Sequence, residues 1–179
     1  MRRLPACLVL LVLTCGTSAC GYSLAGRGSF LPPDIKRIGV PDFANRTTLF
    51  NLETQLTQKV RAEFIGRGRY AIVPESTGVD ALLTGEVSGV SIVPESFTAQ
   101  QLATRYSISM TARVELRDLR TNMVLWENPG LVFRQTYDAP NVGANPLDPA
   151  AFFGQDMNAL DRMSTEFART IVSAILEAF

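Results

Sequence analysis

Histidine is absent from all 179 residues. That removes the histidine general base, the Ser-His and Cys-His nucleophile pairs, and the usual zinc and haem ligand sets. Cysteine is scarce: Cys7, Cys15 and Cys20 are the only three, all within the first twenty positions. Neither sign of charge is in excess, with 17 Lys and Arg against 17 Asp and Glu. A nucleic-acid binder would show a strongly basic face, so that class is excluded as a partner. No apolar run approaches the roughly 20 residues that cross a bilayer core of about 30 Å. There is no Walker loop and no dinucleotide fingerprint, since GRGS (26–29) and GRGR (66–69) follow no strand of the right kind. Internal repeats, heptads and low-complexity runs are missing too. What remains is a globular composition, 46% apolar and 19% charged.

The first residues have a pattern of their own. Met1-Arg2-Arg3 is followed by an apolar stretch from Leu4 to Leu13 and then by small residues, which reads as an export signal. Thr17-Ser18-Ala19 leads straight into Cys20, and this resembles the bacterial lipobox, although Thr17 stands where Leu is usual. In that pattern the cysteine carries S-diacylglycerol, the signal is cut before it, and the new N-terminus is acylated. Cys15 is a weaker candidate because Thr14 is bulkier than the residue normally required before the cut. Cys7 and Cys15 leave with the signal, so Cys20 has no partner for an internal disulfide. Two or more acyl chains, at about 0.8 kcal/mol per buried methylene, hold a protein stably on a membrane. Gly21 rather than Asp after the cysteine favours the outer membrane over the inner one. Removing residues 1–19 from 179 leaves 160, and the loss of Arg2 and Arg3 takes the basic count from 17 to 15 against 17 acids. One domain with a real core is expected over 34–179, joined to the lipid by a tether of small and turn-forming residues at 20–33.

IKRIGVPDF predicts a short strand centred on Ile38 and Val40. Leu49, Leu52, Leu56, Val60 and Phe64 recur at helical spacing, with Thr47 or Thr48 to cap the start and Gly66 at the left-handed end. YAIV (70–73) is a second short strand, and strand, helix and strand at this spacing predict a parallel pair. ALLTGEVSGVSIV (81–93) is a strand in which Gly85 and Gly89 allow close backbone approach or a bulge. From Arg105 to Asp118 the alternation is unbroken, with Tyr106, Ile108, Met110, Ala112, Val114 and Leu116 on the face that packs. MVLW and LVFRQTY follow, interrupted at Asn128-Pro129-Gly130 by a bulge or kink rather than a separate loop. The last helix is capped by Asp148, begins at Pro149, and buries Phe153, Met157, Leu160, Phe167, Ile171 and Ile175, with Ser164 as the one gap. Together these predict an α/β chain of the α+β kind, a two-layer sandwich. A membrane barrel needs about eight strands or more, and the two helices consume the residues that would supply them.

Glu53, Glu63, Glu86, Glu115 and Glu127 are dispersed over solvated faces, so acid–base chemistry has no evident pair and a non-enzyme is expected. PESFTAQQLAT (94–104) is long for a hairpin connection of about 2–5 residues. Beside it the wet strand face carries Arg105, Arg113 and Arg117. These read either as plain sheet surface or as a docking site for phosphate-bearing groups, which arginine's planar fork suits. Phe97 in the loop could meet a lipid chain or fit a partner pocket, and an exposed Phe is also ordinary.

CGYSL at Cys20, IKRIGVPDFANRT, VDALLTGEV, RYSISMTARVELRD followed by VLWE, and the closing IVSAILEAF resemble, in order and spacing, the LptE family of lipopolysaccharide-assembly lipoproteins. The likeness spans nearly all of residues 20–179. It implies two helices on one side of a mixed sheet of four to five strands. It also implies a non-enzymatic lipoprotein on the periplasmic side of the outer membrane that plugs the lumen of the LptD β-barrel, helps it assemble and binds lipopolysaccharide. Arg105, Arg113, Arg117 and Phe97 are the candidates for that contact. AAFFGQDM, at the start of the last helix, lacks the basic residues some members are implied to use there. No cofactor and no metal are expected beyond the covalent N-acyl and S-diacylglycerol lipid on Cys20. IKRIGVPDFANRT also resembles CsgG-like secretion lipoproteins and lipoprotein activators of cell-wall synthases. The sequence lacks the added membrane-inserting hairpins of the first and the long tether of the second.

Overall fold

The computed structural model describes residues 31–138, 151–153 and 157–179. Cys20, the export signal, most of the 20–33 stretch and the expected helix start at Asp148 and Pro149 lie outside the described residues. Among the described residues six strands form one open mixed sheet: β1 (Arg37–Gly39), β2 (Ala44–Asn45), β3 (Ala71–Val73), β4 (Ala81–Phe97), β5 (Ala103–Asp118) and β6 (Val124–Asp138). Two long helices, α1 (Leu52–Gly66) and α2 (Met157–Glu177), complete the α+β architecture, and residues 151–153 are also helical. The sheet order is β3-β1-β4-β5-β6, with β2 pairing β4 off this path.

The expected parallel pair is present, with Ile38 opposite Ile72 in β1 and β3. Between them α1 buries Leu52, Leu56, Val60 and Phe64 completely, the stripe that its spacing predicts. Its ends differ from expectation. Asn51 precedes the helix at φ 61 with no side-chain cap, while the Thr47 hydroxyl accepts from the Leu49 N–H instead. Gly66 stays helical, and the left-handed residue is Gly68 at φ 69, two positions later. Thr57, fully buried on α1, donates its hydroxyl to the Glu53 carbonyl at 2.6 Å and accepts the Phe43 N–H at 2.9 Å. That pins the segment after β1 to the helix. It also lays down β2, which two residues alone could not signal in the sequence.

β4, β5 and β6 form an antiparallel meander. All six even-numbered residues of β5 from Tyr106 to Leu116 are buried, as the alternation predicts. β4 bulges where Val87 faces Ala112 and Gly89 faces Thr111. The extra Ser88 resets the pleat, so Val87 and then Val90 and Ile92 all reach the core. Gly85 is the close approach: a Cβ there would lie 2.6 Å from the Phe43 ring. β6 is a single strand whose register skips between Leu131 and Asn128, absorbing Pro129 and Gly130 as a bulge. The long loop expected at 94–104 is not formed. Strand pairing continues through Phe97 and resumes at Ala103, leaving a five-residue turn (98–102) closed by the Thr98 N–H on the Leu102 carbonyl.

The helices pack side by side over one sheet face. Lys59 meets Asp161 at 2.7 Å and Arg67 meets the Ser173 hydroxyl at 2.9 Å, so α1 and α2 run parallel. Phe133 of β6 and Phe167 of α2 meet edge-to-face at 6.0 Å, and Tyr106 meets Phe152 at 5.7 Å. Ser164, the gap in the α2 stripe, is buried and returns its hydroxyl to the Leu160 carbonyl at 2.8 Å. Leu31, within the stretch read as tether, is buried and donates its N–H to the Tyr70 hydroxyl.

Candidate functional site

The helices leave the second face of β4, β5 and β6 uncovered, and strand register orders it into rungs. Ser96, Arg105 and Asp138 form one; Val93, Ser107 and Thr136 the next; then Ser91, Ser109 and Arg134; then Gly89, Thr111 and Val132. Beyond the bulges lie Glu86 with Arg113, and Thr84 with Glu115 and Glu127. On β4 and β5 the side chains are short in the middle of the face and charged towards its ends, while β6 sets Arg134 in the middle.

The register separates the predicted arginines. Arg105 lies at the hairpin end opposite Ser96; Phe97, the next residue of β4, is exposed and opposite Ala103. Arg113 is eight residues farther along β5 and Arg117 twelve, roughly 27 and 40 Å at strand rise. One phosphate group therefore cannot touch all three. Arg105 pairs with Asp138 at 3.3 Å, both exposed. Arg117 is held by Glu115 at 2.6 Å and by the Asn122 carbonyl at 3.1 Å. Arg113 has no ion pair among the described residues. It stands where β6 is bulged and offers no direct neighbour, and it lines a cleft of about 280 Å³ with Ala44, Thr84, Gly85, Glu86 and Glu115.

Two features of this face escaped the sequence reading. Arg134 shares the surface and donates to the Ser109 hydroxyl at 3.0 Å; the alternation of LVFRQTY carried that signal. Thr136 donates to Glu95 at 3.3 Å across β5, which covers Ser107 although it sits on the open side. No pattern in one strand reveals a bridge between its two neighbours.

A second polar cluster sits at the β5–β6 turn. Arg120 binds Asp34 at 2.6 Å and Asp118 at 3.2 Å, and Asp80 accepts the N–H groups of Lys36 and Arg37, each at 2.9 Å. Asp34 is held below the ordinary carboxylate value chiefly by the Arg120 guanidinium, and Asp80 by those two N–H groups. Burial pushes the Asp118 carboxyl up, but the N–H and guanidinium of Arg120 outweigh it and the net direction is down. The arrangement clamps chain segments together. Among the described residues no cluster of Cys, Asp and Glu is placed to hold a metal, and no helix is long and apolar enough to cross a membrane.

A family model described as LptE, lipopolysaccharide-assembly, matches residues 35–175. No curated protein matches the sequence. Among solved structures, the hypothetical protein CT253 from Chlamydia trachomatis is similar with a TM-score of 0.52 at 12% identity, over 79% of this chain and 96% of that one. The rare lipoprotein B from Shewanella oneidensis gives a TM-score of 0.48 at 14% identity, over 78% of this chain and 92% of that one. At such identities the first likeness speaks for the fold.

Proposed function

The chain belongs to the LptE, lipopolysaccharide-assembly, family, and on that footing we propose that it is a non-enzymatic lipoprotein that seats in the lumen of an LptD-like outer-membrane barrel. There it supports assembly of the barrel and contacts lipopolysaccharide on its way to the outer leaflet. One-sided burial of the sheet carries the reading. β5 buries its even-numbered residues under two helices and leaves Arg105, Ser109, Thr111 and Arg113 on the uncovered face. A plug needs a core complete by itself and a wettable outer surface, because the lumen of such a barrel is polar. Lipopolysaccharide carries phosphates and acyl chains, and the hairpin end presents Arg105 opposite Ser96 and, next along β4, the exposed Phe97. Arg113 and Arg117, farther along β5, suit contacts with other groups on the lipid or with the barrel wall.

The anchor is Cys20, with N-acyl and S-diacylglycerol chains holding the domain on the periplasmic side of the outer membrane. Mass spectrometry of the mature N-terminus tests it, with acyl groups on Cys20 expected; acylation at Cys15 or an intact Met1 contradicts it. Co-purification from outer membranes tests the partner. A large barrel protein in equal amount is expected, and a cell-wall synthase or a ring of identical subunits in its place would overturn the plug.

A further inference from the structure

Residues 46–51 join β2 to α1, and hydrogen bonds frame them from both ends. At the strand end the Arg46 N–H donates to the Val87 carbonyl of β4 at 2.9 Å. The Asn45 amide donates to the Leu49 carbonyl and to the Glu53 carboxylate of α1, each at 2.7 Å. Its side-chain oxygen accepts the N–H and the hydroxyl of Thr47, at 2.9 and 2.8 Å. Leu49 is buried, and the Asn51 carbonyl accepts the Gln55 N–H at 3.1 Å. One asparagine side chain therefore ties strand, loop and helix together.

That frame holds Phe50 outside. Its ring is 87% exposed, the most exposed large apolar side chain among the described residues, although Leu49 before it and Leu52 after it are buried. A residue at this place, one before the helix cap, often packs on the residue five positions later and fixes the helix entry. Here that residue is Gln55, which offers no apolar partner, so Phe50 has no such use. The exposed residues of the same loop, Arg46, Thr48 and Asn51, are polar. The place is separate from the hairpin end. Asn45 faces Val87, ten residues before Phe97 and roughly 30 Å from it along β4.

We propose that Phe50 is an anchor that enters an apolar pocket on the partner barrel, with Arg46, Thr48 and Asn51 as its polar rim. The proposal rests on the barrel-plug reading. An aromatic ring with two rotatable bonds loses little conformational freedom on docking and covers about 150–250 Å² when it does. Rings of this kind, set within a polar rim that keeps water from the pocket, dominate protein–protein contacts. The rim also decides between a protein and a lipid as occupant. A surface that meets acyl chains displays several apolar side chains together, and no second one is exposed in this loop. The frame matters as much as the ring, since a loop already ordered by Asn45 loses little more freedom on binding.

The test uses the full chain in its own cells. A Phe50→Ala chain is produced together with an equal amount of the unchanged chain, outer membranes are dissolved in detergent, and the co-purifying barrel is isolated. Mass spectrometry of the peptide spanning position 50 gives the share of each chain on the barrel. The variant is expected to be under-represented about tenfold, with its Tm unchanged. Phe50→Leu should recover part of the loss, and Ile65→Ala, at another exposed apolar side chain, should show none. A photocrosslinker at position 50 should join the barrel. Equal shares of Phe50→Ala and unchanged chain overturn the anchor and leave the plug standing. Under-representation with a lowered Tm traces the loss to folding and overturns it as well. So do crosslinks to lipopolysaccharide or to a second copy of this chain with none to the barrel. A chain that brings down no barrel overturns plug and anchor together.

Discussion

Arg120 donates to Asp34 at 2.6 Å across 86 positions of sequence. The contact ties the β5–β6 turn to the residues that lead into β1, so the last loop of the meander is fastened to the first strand of the domain. Asp118, nearly buried, accepts from the same guanidinium, and Arg120 is held protonated more strongly by its two carboxylates. Replacing Arg120 with Met would keep the apolar stem and leave Asp118 without its cation. A lower Tm is expected at neutral pH, measured by circular dichroism, with part of it restored by adding Asp118→Asn.

The clamp sets an acid limit. Asp34, Asp80 and Asp118 all have folded pKa values below the ordinary 3.8, so the folded chain binds their protons less readily than the unfolded chain does. The stability this contributes is complete above the unfolded value and falls as pH drops through it towards the lower folded values. Denaturation midpoints should decline between about pH 5 and pH 3. An Asp80→Asn variant should start lower and fall less steeply; an unchanged slope would show that Asp80 is not part of the limit.

Gly85 faces the ring of Phe43 with no room for a Cβ. Gly85→Ala is expected to cost about 1–3 kcal/mol, the usual range for overpacking. Urea denaturation reads it, and Phe43→Leu in the same chain should recover part by giving way at the contact.

Phe167 is fully buried and stands edge-on to Phe133. Phe167→Ala should lose about 3–5 kcal/mol, as large-to-small changes of buried rings do. A smaller loss would mean that α2 relaxes towards the sheet to close the space.

The open face should behave differently. Arg105 and Asp138 are both exposed, and such pairs contribute about 0–1 kcal/mol. Arg105→Ala and Arg113→Ala should therefore each leave Tm nearly unchanged. If the hairpin end contacts lipopolysaccharide, Arg105→Ala and Phe97→Ala weaken photocrosslinking to it in cells, and Arg113→Ala does so less. Equal crosslinking in all three variants would make these residues plain surface.

Periodicity made the long elements legible. The β5 alternation and the α1 stripe each repeat over enough residues to average out single exceptions, and the structure buries both faces as read. The bulges at Gly89 and Asn128-Pro129-Gly130 were visible because glycine and proline interrupt a strand for local reasons. The hairpin misled because Pro94 and Ser96 look like turn residues, whereas cross-strand pairing with Tyr106 and Arg105 keeps them extended. The cap of α1 misled in the same way: Thr47 is a good cap, but its hydroxyl is used by the turn before the helix.

The candidate site was legible residue by residue and not as an arrangement. The wet face of β5 is readable in one strand, which places Arg105, Arg113 and Arg117 on it; their separation follows only from strand geometry, and Arg134 enters through the pairing of β6.

Local order was the sequence's to determine: which segments are helix or strand, which face of each is apolar, where cysteine sits, and the absence of histidine chemistry. These depend on neighbours a few positions apart, where side-chain spacing and backbone preference act directly. Tertiary structure alone decided what lies far apart in the chain and close in space: Arg120 on Asp34, and Phe43 against Gly85. Such contacts are fixed by strand register and helix packing, in which every element constrains the rest at once.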